Sequence, residues 1–300
     1  MTASAATAAA AARADEARPV GDSSFRWRRR LAYVLLIGYA LLMFVPFAWS
    51  VLTSFKTLPD SVSGNILPQP WTLDGWEFAL TKLKPSLPAM FLNSAIIAGV
   101  VTVTNLVLGS LAGYAFARLH FPGREALFII VLATLMMPDQ LRLVPVYLML
   151  HAVGLTSGMG QYLGVILISA VIGTSIFLIR QYFLTIPREL EEAARIDGAG
   201  FVTTFLKVML PLAGPALAAV AILTFQGTWN AFFWPLILLQ DLNHYTLPIG
   251  LMSFRFAGGM ANDWPPLMAT VVMATIPIVV LYVFFQRYFV EGIAATGLKG

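Results

Sequence analysis

The sequence IPRELEEAARIDGAGFVTTFLKVMLPL, residues 186–212, separates two long apolar runs and has the pattern of two short helices joined by a turn. Pro187 suits the first position of a helix, where an N–H group would have no partner anyway. Gly198 supplies the left-handed residue that commonly ends a helix. A second amphipathic helix, about Phe201–Met209, then stops at Pro211, where the next apolar run begins. The segment is predicted to form a rigid helix-turn-helix projection.

The charged residues of the first of these helices follow a favourable order. Glu189, Glu191 and Glu192 place negative charge near the helix N-terminus, where the helix dipole is positive. Arg188 and Glu192 are spaced four residues apart, as are Glu191 and Arg195, so each pair can meet on the helix surface. The sequence therefore predicts two local ion pairs along this helix.

The composition excludes a soluble globular protein. Of the 300 residues, 58% are hydrophobic and only 11% are charged, against about 45–50% and about 25% in ordinary globular domains. The chain has no cysteine, and its three histidines are not at metal-ligand spacing, which excludes disulfides, zinc–thiolate sites and cysteine nucleophiles. The net charge of +4 comes from basic residues beside apolar runs, so a lipid membrane explains it and no nucleic-acid partner is expected.

Six apolar runs approach the roughly 20 residues that a helix needs to cross a bilayer. One of them, Leu127–Leu150, is interrupted by PDQLR (Pro138–Arg142) and is expected to bend or break there. Five spans would be the alternative, if this run re-enters the membrane instead of crossing it. The predicted fold is an all-α integral membrane protein, a bundle of six transmembrane helices from which the loop of residues 186–212 projects. The other five runs are Leu31–Leu52, Phe91–Phe116, Tyr162–Ile179, Leu212–Leu239 and Leu267–Phe285.

The distribution of Lys and Arg predicts the orientation. Fourteen of the 19 basic residues lie on the side of the termini and of the loop 186–212, and basic residues concentrate on the cytoplasmic side of membrane proteins. Both termini are therefore predicted to be cytoplasmic. The chain divides into a disordered basic tail (1–30), a transmembrane domain (31–290) and a cytoplasmic C-terminal tail (291–300). The remaining basic residues are Lys56, Lys82, Lys84, Arg142 and Arg255.

Gly109 and Gly113 lie four residues apart in the second run, on one face of the predicted helix. Small residues allow helix backbones to approach closely in lipid. The pair can serve contact with another subunit or packing within the same subunit. Packing within the subunit is the simpler interpretation, because small residues are frequent in all membrane helix bundles.

The loop 186–212 also has the pattern of a known family. Glu192-Ala193-Ala194, Asp197-Gly198-Ala199, Phe205, Val208 and Leu210-Pro211 together resemble the EAA loop of bacterial ABC-importer permeases. Three further segments are similar to the carbohydrate-uptake, MalG-like permeases of that family: FLNSAIIAG (Phe91–Gly99), GYAFARLHFPGR (Gly113–Arg124) and RYFVEGIAATGLKG (Arg287–Gly300). The resemblance covers nearly the whole chain except the N-terminal tail.

This resemblance implies a permease subunit that moves a sugar or oligosaccharide across a bacterial cytoplasmic (inner) membrane. The loop would be the coupling element, in which Glu192 contacts an ATPase, Ala193 and Ala194 allow close packing, and Gly198 sets the turn. Residues Gly292–Gly300 would form a second contact with the ATPase. The implied partners are a second homologous permease subunit in a heterodimer, a dimer of ATP-binding subunits, an extracytoplasmic sugar-binding protein and membrane lipid.

The chain has no nucleotide-binding motif of its own. It contains no GxxxxGK[ST] segment, so we expect ATP and Mg²⁺ in the partner ATPase and no cofactor bound by this chain. No catalytic constellation is recognisable, and we do not expect an enzyme. A secondary transporter is the alternative class, but it would usually show inverted repeats and a midplane ionisable residue. Within the importer class, glycerol phosphate and polyols are alternative substrates.

The fifth run offers candidates for a substrate path. Gln226, Trp229 and Asn230 are spaced to share one helix face, with Trp234 four residues beyond Asn230. Amides can hydrogen-bond sugar hydroxyls and an indole ring can stack on a sugar; the alternative role is interhelical hydrogen bonding and an interfacial tryptophan belt. Asp139 is a further candidate, because it is the only carboxylate within an apolar run.

Overall fold

The computed structural model describes residues 22–256 and 263–297, and the side chains of residues 27–253 and 263–285. Every regular element in these two ranges is a helix. Short turns join the helices, and several consecutive helices are the two halves of one apolar run. The α-helices in chain order are α1 Asp22–Thr53, α2 Leu58–Val62, α3 Asp74–Glu77, α4 Leu87–Arg118, α5 Arg124–Leu135, α6 Leu143–Ala152, α7 Gly160–Ser169, α8 Gly173–Thr185, α9 Glu189–Ile196, α10 Phe201–Thr204, α11 Leu210–Leu212, α12 Gly214–Trp229, α13 Phe233–Leu238, α14 Leu247–Phe256 and α15 Trp264–Gly297.

Up to six segments are long and apolar enough to cross a membrane. Three of them lie in the single helices α1, α4 and α15. The other three are pairs of helices that meet at an angle: α5 with α6, α7 with α8, and the segment Phe201–Leu212 with α12. The predicted fold class, an all-α membrane protein, is confirmed, and the number of spans reaches the predicted six when each bent pair is counted as one crossing.

The third span is broken where the sequence predicts a break. Its two halves, Arg124–Leu135 and Asp139–Ala152, meet at 102°. Pro138 stands immediately before the second half, in an extended conformation. A proline disfavours helical backbone at the residue before it and cannot continue the hydrogen bonding of the preceding helix. The interruption of the apolar run is thus a sharp change of direction.

The fourth and fifth spans are also broken, which the sequence analysis does not predict. Helices α7 and α8 meet at 40° within the fourth span. In the fifth span, α12 ends at Trp229 and α13 begins at Phe233, so the continuous helix predicted over Leu212–Leu239 is wrong. Pro235 explains this break, because it has no N–H for the carbonyl of Ala231 four residues earlier and its ring would clash with that carbonyl.

Both terminal helices extend beyond the predicted spans. Helix α1 begins at Asp22 and α15 continues to Gly297, so residues 22–30, which the sequence analysis predicts to be disordered, and residues 291–297 are helical. Arginine has a high helix propensity, which allows α1 to continue past the apolar run into the basic segment before it. Residues 1–21 and 298–300, the rest of the two predicted tails, lie outside the described residues.

Helices α4 and α8 pack closely at the two glycines of the second span. A Cβ atom on Gly113 would lie 2.9 Å from Cγ2 of Ile179, and one on Gly109 would lie 3.3 Å from Cβ of Ser175. Both neighbours belong to α8 of the same chain. The interpretation that this pair serves packing within the subunit is confirmed.

The connection between α1 and α4 is organised around the buried carboxylate of Asp60. Its Oδ1 accepts a 2.8 Å hydrogen bond from the side-chain amide of Asn65, and its Oδ2 accepts a 2.9 Å bond from the backbone N–H of Gln69. The hydroxyl of Ser63 also donates to Oδ1. The Asn65 and Gln69 bonds, more than any other cause, hold the pKa of Asp60 below its ordinary value.

Candidate functional site

The loop 186–212 contains the glycine turn that the sequence predicts. Gly198 has a φ of +82°, in the left-handed region. The N–H of Ala199 donates to the carbonyl oxygen of Ala194 at 2.9 Å, and the N–H of Gly198 donates to that of Arg195 at 3.0 Å. This pair of bonds satisfies carbonyl groups at the end of α9 and closes a Schellman turn. A Cβ at position 198 would meet no atom within 4 Å, so the backbone angle alone favours glycine.

The second half of the loop is one helical segment with a wide turn in its middle. Helix α10 passes into the π turn Phe205–Met209 and then into α11. The N–H of Leu210 donates to the carbonyl of Phe205, five residues earlier. The segment passes through Pro211 rather than stopping there, and it meets α12 at 75°. The predicted stop is therefore displaced, and the change of direction lies at Ala213.

Buried aromatic side chains join this segment to the spans. The ring of Tyr114, near the end of α4, lies 5.0 Å from the ring of Phe205 and 5.4 Å from that of Phe183 in α8. Met209 and Ile179 belong to the same buried cluster. The loop is therefore packed against the apolar core of the second and fourth spans. A projection that moves independently would lack these buried contacts.

The ion pairs of α9 differ from the two predicted on its surface. Glu191 pairs with Arg118, the last residue of α4, and Nε of Arg118 lies 2.9 Å from Oε1 of Glu191. Their side chains are only 5% and 8% exposed. Glu191 therefore points toward the helix bundle and pairs with Arg118 rather than with Arg195. Among the described residues, no ion pair joins Arg188 to Glu192.

The opposite face of α9 is open to solvent. Ile196 is 87% exposed, and its neighbours on the helix, Glu192 and Ala193, are exposed as well. Ile196 therefore adds apolar surface to an otherwise charged, exposed face. Of the residues that the EAA-type pattern singles out, Asp197, Gly198 and Pro211 are also exposed, and Ala194, Ala199 and Leu210 are half-buried.

The fifth-span residues do not share one environment. Gln226 and Asn230 are exposed, and the amide of Asn230 donates to the carbonyl of Gln226 in its own helix at 3.0 Å. Trp229 is only 2% exposed. Its indole N–H donates to the carbonyl of Ala274 in α15 at 3.0 Å, and its ring stacks on that of Phe225 at 5.6 Å. Trp229 thus points away from the two exposed amides and makes an interhelical hydrogen bond, as the alternative role in the sequence analysis predicts for it.

Trp234 is buried as well, and Asp139 has a local partner. Trp234 belongs to a second apolar cluster together with Ile97 and Val165. The carboxylate of Asp139 forms an ion pair with Arg142, three residues later, within the break of the third span. Among the candidate path residues, Gln226 and Asn230 are thus the two whose side-chain amides are exposed beside an interrupted helix.

Two polar residues of α4 that the sequence analysis does not single out have central positions. Asn105 is fully buried and hydrogen-bonds the break of the fourth span. Arg118 contacts both the end of α8 and Glu191. Asn105 is an amide inside an apolar run, and such residues need a partner in lipid. Applied to the sequence, that rule identifies Asn105 as a residue that must hydrogen-bond another helix. Arg118 lies at a helix end, where the sequence does not distinguish it from an ordinary interfacial arginine.

Residues 105–294 match the family described as binding-protein-dependent transport system inner membrane component. The match covers more than half of the chain and includes the three broken spans, the loop 186–212 and α15 up to residue 294. The chain belongs to this family. It is a multi-pass membrane protein of the permease type, as the resemblance implies.

Several relatives of this inner membrane component are permeases of sugar importers, and others are permeases for sn-glycerol-3-phosphate. The chain is 38% identical to the arabinooligosaccharides transport system permease protein AraQ of Halalkalibacterium halodurans, over 90% of this chain and 97% of the relative. It is 34% identical to the trehalose/maltose transport system permease protein MalG of Thermococcus litoralis, over 90% and 98%. Among solved structures, it is similar to a bacterial ABC transporter that imports the polysaccharide alginate, with a TM-score of 0.78, 26% identity, and coverage of 91% of this chain and 100% of the other.

Proposed function

We propose that this chain is the permease subunit of a binding-protein-dependent ABC importer for a sugar or oligosaccharide. The observation that carries the proposal is the loop 186–212, which is anchored to the spans by buried contacts and exposes Glu192 and Ile196 on its outer face. Membership of the family and its relatives among oligosaccharide permeases support the substrate class.

A separate ATPase supplies the energy in this proposal. The exposed face of α9 enters a cleft of the ATP-binding subunit, which holds ATP and Mg²⁺ and hydrolyses the nucleotide. The excess of basic residues on the side of the loop supports a cytoplasmic location for it and for both termini. A second, homologous permease subunit completes the path as a heterodimer, a dimer of ATP-binding subunits lies below it, and an extracytoplasmic binding protein delivers the sugar.

Gln226 and Asn230 line the substrate path on this subunit. An amide or an interrupted helix exposed to lipid would be costly, because lipid offers no hydrogen bonds. Both features occur together at the end of α12, where the chain is irregular between Trp229 and Phe233. A wet path would satisfy these groups, and amides suit neutral hydroxylated ligands.

The experiment that tests this function is ATP-dependent uptake by proteoliposomes containing the permease pair, the ATPase and the binding protein. Glu192→Lys should abolish uptake and release the ATPase from the purified complex, because it reverses the charge on the exposed face of α9. Glu125→Lys is the matched control, since Glu125, like Glu192, is an exposed carboxylate in the first turn of its helix. Normal uptake by Glu192→Lys would contradict the coupling role of the loop.

Two alternatives are separated by the same preparation. Uptake of glycerol phosphate or a polyol in place of every sugar offered would assign the chain to another substrate class within the family. Uptake driven by an ion gradient in the absence of the ATPase would indicate a secondary transporter.

A further inference from the structure

Arg118 connects three parts of the chain that are far apart in sequence. It is the last residue of α4. Its Nη2 donates to the carbonyl oxygen of Phe183 at 2.6 Å and also to that of Ile186. Its Nε faces the carboxylate of Glu191 at 2.9 Å. One guanidinium therefore joins the end of the second span, the end of the fourth span and the first turn of α9.

The carbonyl groups that Arg118 binds lie at the end of a helix, where the regular backbone hydrogen bonding stops. Helix α8 ends at Thr185, and Ile186 has an extended conformation. The last carbonyls of a helix have no donor in a following turn and are satisfied by capping bonds, side chains, water or a ligand. The carbonyl of Phe183 also accepts the N–H of Ile186 at 3.3 Å, and Arg118 adds a side-chain donor to it and to the carbonyl of Ile186, which fixes where the chain leaves the fourth span and enters α9.

The pair with Glu191 is almost fully withdrawn from water. Neither Nε of Arg118 nor Oε1 of Glu191 has another hydrogen-bond partner. The contact is therefore mainly a Coulombic attraction between two opposite charges that the loop shields from water. Other charged groups of α9, Glu192 and Arg195, are exposed.

A buried ion pair is not explained by stability alone. Apolar residues of similar volume often stabilise a protein as well or better, because two charges must be removed from water to form the pair. Separating the pair would, however, leave two buried charges without partners, whereas apolar contacts allow sliding. This pair lies where the loop leaves the membrane, next to the ring of Tyr114 that packs on Phe205 of the same loop.

We infer that Arg118 is a positioning residue for coupling: through Glu191 and the carbonyls at the end of α8, it makes the loop 186–212 move as one body with the second and fourth spans. This inference rests on the proposed function of the loop. Without the link, the ATPase would still dock on the outer face of α9, but its movement would no longer reach the spans.

The test combines a distance measurement with a measurement of transport efficiency in the complete importer. The chain has no cysteine, so spin labels can be placed at Glu189→Cys in α9 and Glu125→Cys in α5, with partner subunits free of cysteine. Glu191→Gln and Arg118→Gln are compared with Arg188→Gln, an exposed arginine just before the same helix. Sugar transported per ATP hydrolysed is measured on the same variants without labels.

Glu191→Gln is expected to broaden the distance distribution and to lower sugar transported per ATP by about fivefold or more, the range typical of coupling between sites. ATPase binding should stay normal, and Arg188→Gln should resemble the parent. Glu191→Asp, which keeps the charge on a shorter side chain, should restore part of the efficiency. Should Arg118→Gln fail to assemble, Glu191→Gln still decides, because it leaves Arg118 bound to the two carbonyls.

Three results would overturn the inference. The first is an unchanged distance distribution in Glu191→Gln. The second is a broadened distribution with unchanged sugar per ATP, which would limit the pair to local structure. The third is an equal effect of Arg188→Gln. If the parent importer hydrolyses ATP but transports no sugar, the proposed function fails instead, and the distance measurement still reports on the link.

Discussion

The side-chain amide of Asn105 donates a 2.7 Å hydrogen bond to the carbonyl oxygen of Ser169, the last residue of α7. Its Oδ1 accepts 2.9 Å bonds from the backbone N–H of Ile172 and from the hydroxyl of Ser175, on the other side of the break. Its second amide hydrogen is bonded to Val101 in its own helix. One buried amide thus supplies both halves of the fourth span with the partners that a break in lipid would otherwise lack.

Asn105→Ala should therefore destabilise the folded permease. Three bonds to the fourth span are lost, and membrane hydrogen bonds average about 0.6 kcal/mol each, so the expected loss is about 2 kcal/mol. Thermal unfolding of the purified protein in detergent measures it. Gln140→Ala, the removal of an exposed amide, is the control. Equal melting temperatures for the two variants would contradict the role of Asn105.

Gly113→Ala and Gly99→Ala should have opposite effects although both lie in α4. At Gly113 the added Cβ would lie 2.9 Å from Ile179 and 3.1 Å from the backbone nitrogen of Arg180, and at Gly99 it would meet nothing within 4 Å. Overpacking at Gly113 should cost about 1–3 kcal/mol. Alanine at Gly99 should stabilise by up to about 1 kcal/mol through helix propensity. Unfolding in the same detergent compares them, and similar shifts would contradict the close packing of α4 on α8.

Gly198→Ser and Gly200→Ser test the turn of the loop. Gly198 has a φ of +82°, whereas Gly200 has an ordinary extended conformation just before α10. Serine at 198 should cost about 1 kcal/mol or more, and serine at 200 should be tolerated because it is a favoured N-cap residue. Co-purification of the ATPase and sugar uptake should fall only for Gly198→Ser. A parent-like Gly198→Ser variant would show that the turn does not need a left-handed residue.

Asp60 should make the stability of the segment between α1 and α4 dependent on pH. Its pKa is held below the ordinary value by the Asn65 and Gln69 bonds. A carboxylate with a depressed folded pKa contributes stability above its unfolded pKa of about 4 and loses it as the pH falls through the folded value. The stability difference between the parent and Asp60→Asn should be full at neutral pH and shrink in acid. Asp74→Asn, which replaces an exposed carboxylate of the same segment, is the matched control.

The variant Asn230→Ala tests whether Asn230 lines the substrate path. The amide bonds only its own helix backbone within the described residues, so its loss should leave stability within about 0.5 kcal/mol of the parent. Uptake should fall several-fold, or the preference among sugars should change, with assembly intact. Thr134→Ala is the matched control: Thr134 is exposed on another span and also bonds its own helix, at the carbonyl of Val131. Parent-like kinetics of Asn230→Ala for every transported sugar would exclude the role.

The sequence predicts those parts of the fold that depend on local patterns. Apolar run length predicts the spans, Pro138 predicts the break of the third span, and the glycine between two amphipathic patterns predicts the turn at Gly198. Each of these depends on a few neighbouring residues and on the solvent around them. By the same rule Pro235 predicts a break, but it lies within one continuous apolar run, which favours the prediction of an unbroken helix.

The contacts between distant elements could not be predicted in this way. Helical spacing places Gln226, Trp229 and Asn230 close together, but only the position of α15 determines that the indole turns inward. Glu191 has a plausible partner four residues away, yet its actual partner, Arg118, is brought in by the packing of α4. In both cases tertiary packing overrides a correct local rule.

Because of the π turn at Phe205–Met209, the direction in which the loop faces depends on the number of residues in the turn and not only on their identity. Its hydrogen bond runs five residues back, so it contains one residue more than an α-helical turn does. Deleting one residue here would restore ordinary helix and rotate everything before it by about 100° relative to α12. Phe201 and the face presented by α9 would then point elsewhere without any contact having been substituted. Single-residue insertions and deletions in this turn should accordingly be selected against more strongly than most point changes.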